Sequence, residues 1–160
     1  MSHCPLPLPL LLLLLLLLAL PLPLPLLLLP NPVPHCSVRA GMPHVILIED
    51  DALVRKLLEK RLLLAGWEVT TLRDGRGAAE HVLAAHADLV LLDLGLPHVD
   101  GLSVVEELRA RGILVPILVL TAYDLPHLHA TVRGTGANDL VQKPYDPEAL
   151  LERMQRLVAA

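Results

Sequence analysis

The 160-residue chain has no charged side chain before Arg39, and its only two cysteines, Cys4 and Cys36, both lie near its start. All 13 basic and all 17 acidic residues therefore fall from Arg39 onward. The lack of cysteine excludes a disulfide or a cysteine-based metal site from that larger part, which fits a reducing compartment. Clustered lysine and arginine are also lacking, so direct nucleic-acid binding is not expected.

The N-terminal segment is of low complexity, since residues 5–30 contain only leucine, proline and Ala19. A membrane helix needs about 20 uninterrupted apolar residues. The longest proline-free run is residues 10–20, and the Leu-Pro alternation around it blocks helical hydrogen bonds. A secretory signal would open with Lys or Arg and close on a small-residue cleavage site, and neither feature is visible.

Three interpretations of this segment stay open: a signal or anchor, an apolar and partly polyproline-like tail, or an extension of the gene model. We favour a translation start at Met42, because every signal of a fold begins just after it. The predicted organisation is a tail over residues 1–42, disordered or not translated, and one domain over residues 43–160. Membrane association is not expected.

After Met42, short apolar segments alternate with segments of helical periodicity. Asp51 is placed to cap the first helix, and Gly66 is placed to end it. Five successive strand–helix units predict an α/β fold, with a parallel sheet covered by helices on both faces. The predicted strands cover residues 44–48, 67–72, 88–93, 115–121 and 138–142, and the predicted helices cover 51–66, 75–86, 101–112, 126–133 and 146–160.

The composition of the strands predicts their order in the sheet. The first, third and fourth strands are nearly all apolar, as expected of strands buried on both faces, whereas the second and fifth mix polar and apolar residues and should be the edges. This matches the flavodoxin-like order 2-1-3-4-5. In that order the first and third strands are neighbours, and their carboxyl ends open a binding crevice.

The third predicted strand ends on a carboxylate, that of Asp93, in the stretch LVLLDLGLPHVDG. An aspartate there often only starts a turn. Glu49 and Asp50, however, end the neighbouring first strand, so three carboxylates should meet at one edge. Carboxylates this close repel one another unless a cation neutralises them, and oxygen ligands with room for water suit Mg²⁺. The sequence therefore predicts a magnesium site at this edge.

Two further residues should reach the same edge: Thr121 at the end of the fourth strand and Lys143 at the end of the fifth. A hydroxyl and an ammonium group beside a metal-bound carboxylate can hold the oxygens of a phosphoryl group. Together the five side chains are placed to hold a phosphoryl group beside a metal ion.

These residues resemble the receiver domain of two-component response regulators. The resemblance rests on the acidic pair Glu49-Asp50, the loop DLGLPHVDG, the hydroxyl in LTA and the Lys-Pro of QKPY, and it covers residues 43–158. It implies that Asp93 is the nucleophile that accepts a phosphoryl group from a partner's phosphohistidine. It also implies that Asp50 binds Mg²⁺ directly and Glu49 through water, with the backbone carbonyl of Gly95 as a further ligand.

For the remaining residues, the resemblance implies that Lys143 pairs with the phosphoryl oxygens, that Thr121 turns toward them after transfer, and that the peptide bond before Pro144 is cis. The expected partners are a sensor histidine kinase or a histidine phosphotransfer protein, and a downstream protein. The expected role is signalling rather than enzymatic, with at most self-catalysed phosphotransfer and autodephosphorylation, and the expected location is the cytoplasm. Because the chain ends with its last predicted helix, we expect a stand-alone receiver.

One position departs from the family pattern. Receiver domains generally carry an aromatic residue three positions before the lysine, and this chain has Leu140 there. Coupling from Thr121 to other surfaces would then be weaker or use another side chain, and Tyr123 is nearby. The helix after Tyr123 contains Gly134 and has low helix propensity, so we predict that it is the most mobile element.

Several polar residues have simpler explanations than a role in the site. Asp100 is expected to serve the turn before Gly101, and His98 is expected to be an exposed loop residue. His127 and His129 are two positions apart, which on a helix points them in different directions and argues against a shared metal. Trp67 is expected to pack at an edge strand.

Two other functions stay open. Phosphatases of the haloacid-dehalogenase type also place an aspartate nucleophile at a strand end with Mg²⁺, but they need a second aspartate two positions later, where this chain has Gly95. The second alternative is a phosphorylation-independent interaction module of the same fold, since a fold alone does not fix a function.

Overall fold

The computed structural model describes residues 41–97, 99–124 and 127–160. The prediction for the leucine- and proline-rich tail lies outside these residues, as does the prediction for His98. No helix within the described ranges combines the length and the apolar composition needed to cross a membrane.

Five strands alternate with five helices along the described chain, as the sequence predicts. The strands are β1 His44–Ile48, β2 Glu68–Leu72, β3 Leu89–Asp93, β4 Ile117–Thr121 and β5 Asp139–Gln142. The helices are α1 Ala52–Leu64, α2 Ala78–Ala85, α3 Gly101–Ala110, α4 Leu128–Gly134 and α5 Pro147–Ala159.

The strands form one parallel sheet in the order β2-β1-β3-β4-β5. Both predicted edge strands are therefore confirmed. Every residue of β3 and β4 is buried, whereas β2 keeps an exposed residue and otherwise half-buried ones. Central strands of a parallel sheet are covered on both faces, which explains why their sequence is almost wholly apolar.

Each face of the sheet carries its own apolar core. Ile46 and Val90 pack on one face with residues of α2, α3 and α4, whereas Leu47 and Leu91 pack on the other face with residues of α1 and α5. Trp67 belongs to this second core and is fully buried, so its predicted role in packing is confirmed.

The predicted start and end of α1 are both confirmed. The Asp51 carboxylate accepts hydrogen bonds from the Leu53 and Val54 N–H groups at 2.7 and 3.0 Å, which satisfies donors that the first helical turn leaves unpaired. Gly66 has a φ of 84°, and its N–H bonds the Leu63 carbonyl at 3.1 Å. Glycine reaches this left-handed conformation without strain, so the helix ends here.

Several predicted boundaries differ from the structure by one to three residues, and two of them have clear local reasons. The second helix begins at Ala78 rather than at residue 75, because Gly77 has a φ of 69°, which is incompatible with a helix. The fourth strand begins at Ile117 rather than at residue 115. Pro116 has no N–H to donate to a sheet, although its carbonyl still accepts from Val90 at 2.9 Å.

Candidate functional site

The register of the sheet brings the predicted site residues to one edge. Ile48 of β1 pairs with Leu92 of β3, so the residues that follow them, Glu49 and Asp93, lie side by side. On the other side, Thr121 of β4 pairs with Gln142 of β5, and the Lys143 N–H that follows donates to the Thr121 carbonyl at 2.7 Å.

The three predicted metal ligands do converge. Glu49, Asp50 and Asp93 each offer a carboxylate oxygen, and these oxygens lie within 4.8 Å of one another. Glu49 and Asp93 are 2% and 7% exposed, whereas Asp50 is exposed at the mouth of the site. The cluster thus has two buried carboxylates and one that solvent can reach.

Lys143 links the two buried carboxylates. Its Nζ donates to Asp93 Oδ2 at 2.7 Å and to Glu49 Oε2 at 3.0 Å. One ammonium group cannot balance three carboxylates, so an ionised cluster keeps a net charge of −2. A divalent cation would neutralise that charge, and hard oxygen donors with a solvent-facing side are what Mg²⁺ requires. The residues present therefore fit a magnesium ion.

The pKa shifts of Glu49 and Lys143 follow from this geometry. Burial raises the pKa of Glu49; the hydrogen bond from Lys143 lowers it, the charge of Asp93 raises it again, and the net shift is upward. Burial alone would lower the pKa of Lys143, but its hydrogen bonds to Asp93 and Glu49 prevail, and the net shift is upward. Lys143 is therefore held charged, while the ionised form of Glu49 is disfavoured.

The loops after β3 and β4 are tied to the site by hydrogen bonds. The Gly95 N–H donates to Asp93 Oδ1 at 3.1 Å, so it holds the carboxylate oxygen that Lys143 does not bind. Thr121 is fully buried, and its Oγ1 accepts from the Tyr123 N–H at 2.9 Å. Its hydroxyl hydrogen can still be donated to an incoming oxygen. The predicted cis bond between Lys143 and Pro144 is confirmed.

Sequence reasoning missed Arg55, whose Nη1 donates to the backbone carbonyls of Glu49 and Asp50 at 2.7 and 3.0 Å. The only sequence signal was a basic residue one turn into the helix that follows the acidic pair. That pattern is common on solvated helices, so it did not distinguish Arg55 from Lys56.

Other residues near the edge lie outside the site. The Asp100 carboxylate accepts from the Leu102 N–H at 3.1 Å and caps α3, so its predicted local role is confirmed. His127 precedes α4 in a left-handed conformation, with a φ of 70°. Leu140 is buried in the core, whereas Tyr123 is exposed.

Comparison with known proteins agrees with this geometry. The family model of the response regulator receiver domain matches residues 45–155. The chain is 38% identical over 117 residues to the virulence transcriptional regulatory protein PhoP of Salmonella choleraesuis, an alignment that covers 73% of this chain and 52% of PhoP. The chain spans about half or less of the curated relatives it matches.

Solved structures show the same architecture. The chemotaxis protein CheY4 of Vibrio cholerae is 31% identical with a TM-score of 0.68, over 73% of this chain and 99% of CheY4. The receiver domain of the sensor histidine kinase PA1611 of Pseudomonas aeruginosa is 32% identical with a TM-score of 0.67, over 76% of this chain and all of that domain. That structure has a magnesium ion coordinated in its active-site cleft.

The chain therefore belongs to the receiver-domain family of two-component response regulators. This is a family of signalling domains rather than of conventional enzymes, and its five-stranded parallel sheet is the one expected from the sequence.

Proposed function

We propose that the chain is a phosphoacceptor of a two-component phosphorelay, in which Asp93 takes a phosphoryl group from a phosphohistidine in the presence of Mg²⁺. The donor is a sensor histidine kinase or a histidine phosphotransfer protein. The observation that carries the proposal is the 2.7 Å contact of Lys143 Nζ with Asp93 Oδ2, beside two further carboxylates. A cytoplasmic location stays a prediction that follows from this function.

The residues suit each part of the transfer. A carboxylate oxygen of Asp93 attacks the phosphorus atom, a P–O bond forms, the P–N bond to the donor's imidazole breaks, and the imidazole leaves with the bonding electron pair. The ammonium of Lys143 stabilises charge on the phosphoryl oxygens. Thr121 can donate its hydroxyl hydrogen to one of those oxygens.

The metal would be held by Glu49, Asp50, Asp93 and the backbone carbonyl of Gly95, and when bound it would offset negative charge on the phosphoryl oxygens. Without it, a dianionic group would approach a cluster that already carries excess negative charge. The product is an aspartyl phosphate with nearly two negative charges, which biases the loops that touch it and so changes contacts with a downstream protein. The proposal assigns no nucleic-acid contact to residues 43–160.

An apolar groove beside the site supports docking of a protein donor. It has a volume of about 480 Å³ and is lined by residues of α1 and by Tyr145 and Pro147. Leu53 and Leu57 of α1 are 72% and 70% exposed, and α1 begins just after the acidic pair. We assign the groove to an apolar helix face of the phosphohistidine protein, since the helix that lines it begins directly after the acidic pair of the site.

Intact-mass measurement tests the phosphoacceptor role. The full chain is incubated with MgCl₂ and acetyl phosphate, and we expect an adduct of about 80 Da, the mass of one phosphoryl group. Asp93→Asn should abolish the adduct, while Asp124→Asn, which changes an exposed aspartate in the loop after β4, should keep it. Rapid release of phosphate with multiple turnovers and no accumulated adduct would instead indicate a phosphatase. An unmodified chain would leave a phosphorylation-independent interaction module.

The donor surface is tested separately. Leu57→Asp should slow transfer from a phosphorylated histidine kinase about tenfold or more, because a charge replaces an apolar contact at the interface. Its phosphorylation by acetyl phosphate should be unchanged, since the small donor does not need the groove. Equal slowing with both donors would contradict the assignment of the groove.

A further inference from the structure

Arg55 reaches back from the first turns of α1 to the segment that carries the acidic pair. A single nitrogen of its guanidinium, Nη1, donates to the carbonyls of both Glu49 and Asp50, at 2.7 and 3.0 Å. The bond to Glu49 is partly buried and the bond to Asp50 is exposed. They span six and five residues, so they close the turn between β1 and α1 from the side of the helix.

These two carbonyls lie between two sets of regular hydrogen bonds. The bonds of the sheet end where the Glu49 N–H donates to the Leu72 carbonyl at 3.1 Å. The bonds of α1 begin where the Arg55 N–H donates to the Asp51 carbonyl at 2.9 Å. The carbonyls of Glu49 and Asp50 thus precede the helix and follow the strand, and a side chain supplies their donor.

The direction of a carbonyl fixes the plane of its peptide group, because that group is rigid. The planes that carry the Glu49 and Asp50 carbonyls set the directions in which the two neighbouring side chains leave the backbone. Arg55 binds only carbonyls with this nitrogen, unlike Lys143, which binds the Glu49 and Asp93 carboxylates directly. Arg55 can therefore hold the acidic pair in place without using a carboxylate oxygen of either residue.

We propose that Arg55 is a positioning residue for magnesium binding, which fixes the backbone of Glu49 and Asp50 so that both carboxylates face Asp93. This inference rests on the proposed function, because it concerns the affinity of the same site. Residues that orient metal ligands typically change metal affinity by about 10- to 100-fold when they are replaced.

Calorimetric titration of the full chain with MgCl₂ tests the inference without any phosphodonor. We expect Arg55→Met to raise the dissociation constant for Mg²⁺ about tenfold and Arg55→Lys, which keeps a donor, to recover part of the loss. Arg61→Met is the matched control, because Arg61 lies on the same helix but pairs with the exposed Glu148, and its dissociation constant should equal that of the unmodified chain.

A second readout separates positioning from stability. With acetyl phosphate, Arg55→Met should be phosphorylated slowly at low MgCl₂ and at the unmodified rate once MgCl₂ is saturating. A lower melting temperature with an unchanged dissociation constant would overturn the inference, because Arg55 would then serve only the fold. Should Arg55→Met fail to fold, Arg55→Gln replaces it, and an unchanged Mg²⁺ affinity in that variant would overturn the inference equally.

The two proposals fail in different ways. If the unmodified chain shows neither Mg²⁺ binding nor an adduct, the proposed function is wrong and the role of Arg55 falls with it. If the unmodified chain binds Mg²⁺ and is phosphorylated while the Arg55 variants match it at every MgCl₂ concentration, only the inference about Arg55 is wrong.

Discussion

At the amino ends of β4 and β5, one arginine is matched by neutral acceptors. At the carboxyl ends of β1 and β3, three carboxylates lie together and one ammonium group binds two of them. Arg109 donates to the carbonyls of Gly136, Ile113 and Val115 at 2.9, 2.6 and 3.0 Å, and to Asn138 Oδ1 at 3.0 Å. The same Asn138 oxygen also accepts from the Ile117 N–H. Hydrogen bonds at this edge join the loops before both strands.

The opposite edge holds the three buried polar or charged residues found within the described ranges: Glu49, Asp93 and Thr121. The two buried carboxylates and the exposed Asp50 beside them carry more negative charge than Lys143 can balance. The comparison teaches that one end of the sheet contributes to stability through satisfied polar groups, while the other end keeps an excess of negative charge, as expected of a site built for binding.

The largest effect that would sharpen this contrast is expected at the amino edge. Arg109→Met should lower the free energy of unfolding by about 3 kcal/mol, because several backbone acceptors lose their donor at once. Urea denaturation measures the change. Arg156→Met, at an exposed position on α5, should change the free energy of unfolding by less than about 0.5 kcal/mol. A loss below about 1 kcal/mol for Arg109→Met would show that this edge is not the stabilising one.

A smaller effect of opposite sign is expected at the carboxyl edge. Without Mg²⁺, Glu49→Gln should raise the free energy of unfolding by about 1 kcal/mol, because it removes one of three crowded carboxylates. With Mg²⁺ added, the unmodified chain should become more stable than Glu49→Gln. At ten times its dissociation constant, a ligand stabilises the unmodified chain by about 1.4 kcal/mol, and the variant should gain less. If Glu49→Gln were less stable than the unmodified chain without metal, repulsion between the carboxylates would not be what limits stability at this edge.

The smallest effect is the pH dependence of the difference in unfolding free energy between Glu49→Gln and the unmodified chain. The pKa of Glu49 is raised above its ordinary value of 4.5, so between 4.5 and the raised value the folded chain holds more protons than the unfolded chain. The contribution of Glu49 to the free energy of unfolding is therefore full below 4.5 and falls as the pH rises through that window. Free energies of unfolding are obtained from melting curves of the unmodified chain and Glu49→Gln without metal. They should coincide near pH 4.5 and differ by up to about 1 kcal/mol toward neutral pH. A constant separation would rule out Glu49 as the cause.

Sequence reasoning succeeded where a residue type and its place on a strand determine the outcome. Apolar runs fixed which strands are central, and residues that directly follow those strands, such as Asp93 and Lys143, could be assigned to one edge. The convergence of Glu49 and Asp50 with them follows from the parallel order alone.

What the sequence did not reveal is a set of contacts between side chains and backbone carbonyls. Arg55 and Arg109 both bind carbonyls, and a carbonyl is present at every residue, so no pattern of letters marks the partner. The late start of α2 was missed for a related reason, because the backbone angles at Gly77 do not follow from composition. The predicted mobility of α4 stays a prediction.

The burial of Leu140 affects which conformational changes could connect the site to other surfaces. The side chain is 5% exposed and packs in the same core as Val119 and Val132. Bringing a leucine from such a core into water costs about 2 kcal/mol, so at equilibrium on the order of one molecule in thirty would show it outside. Releasing the Tyr123 N–H from Thr121 Oγ1 exchanges one hydrogen bond for another, at about 1 kcal/mol. In this chain a rearrangement of the main chain at residues 121–123 thus costs less free energy than an outward rotation of the Leu140 side chain.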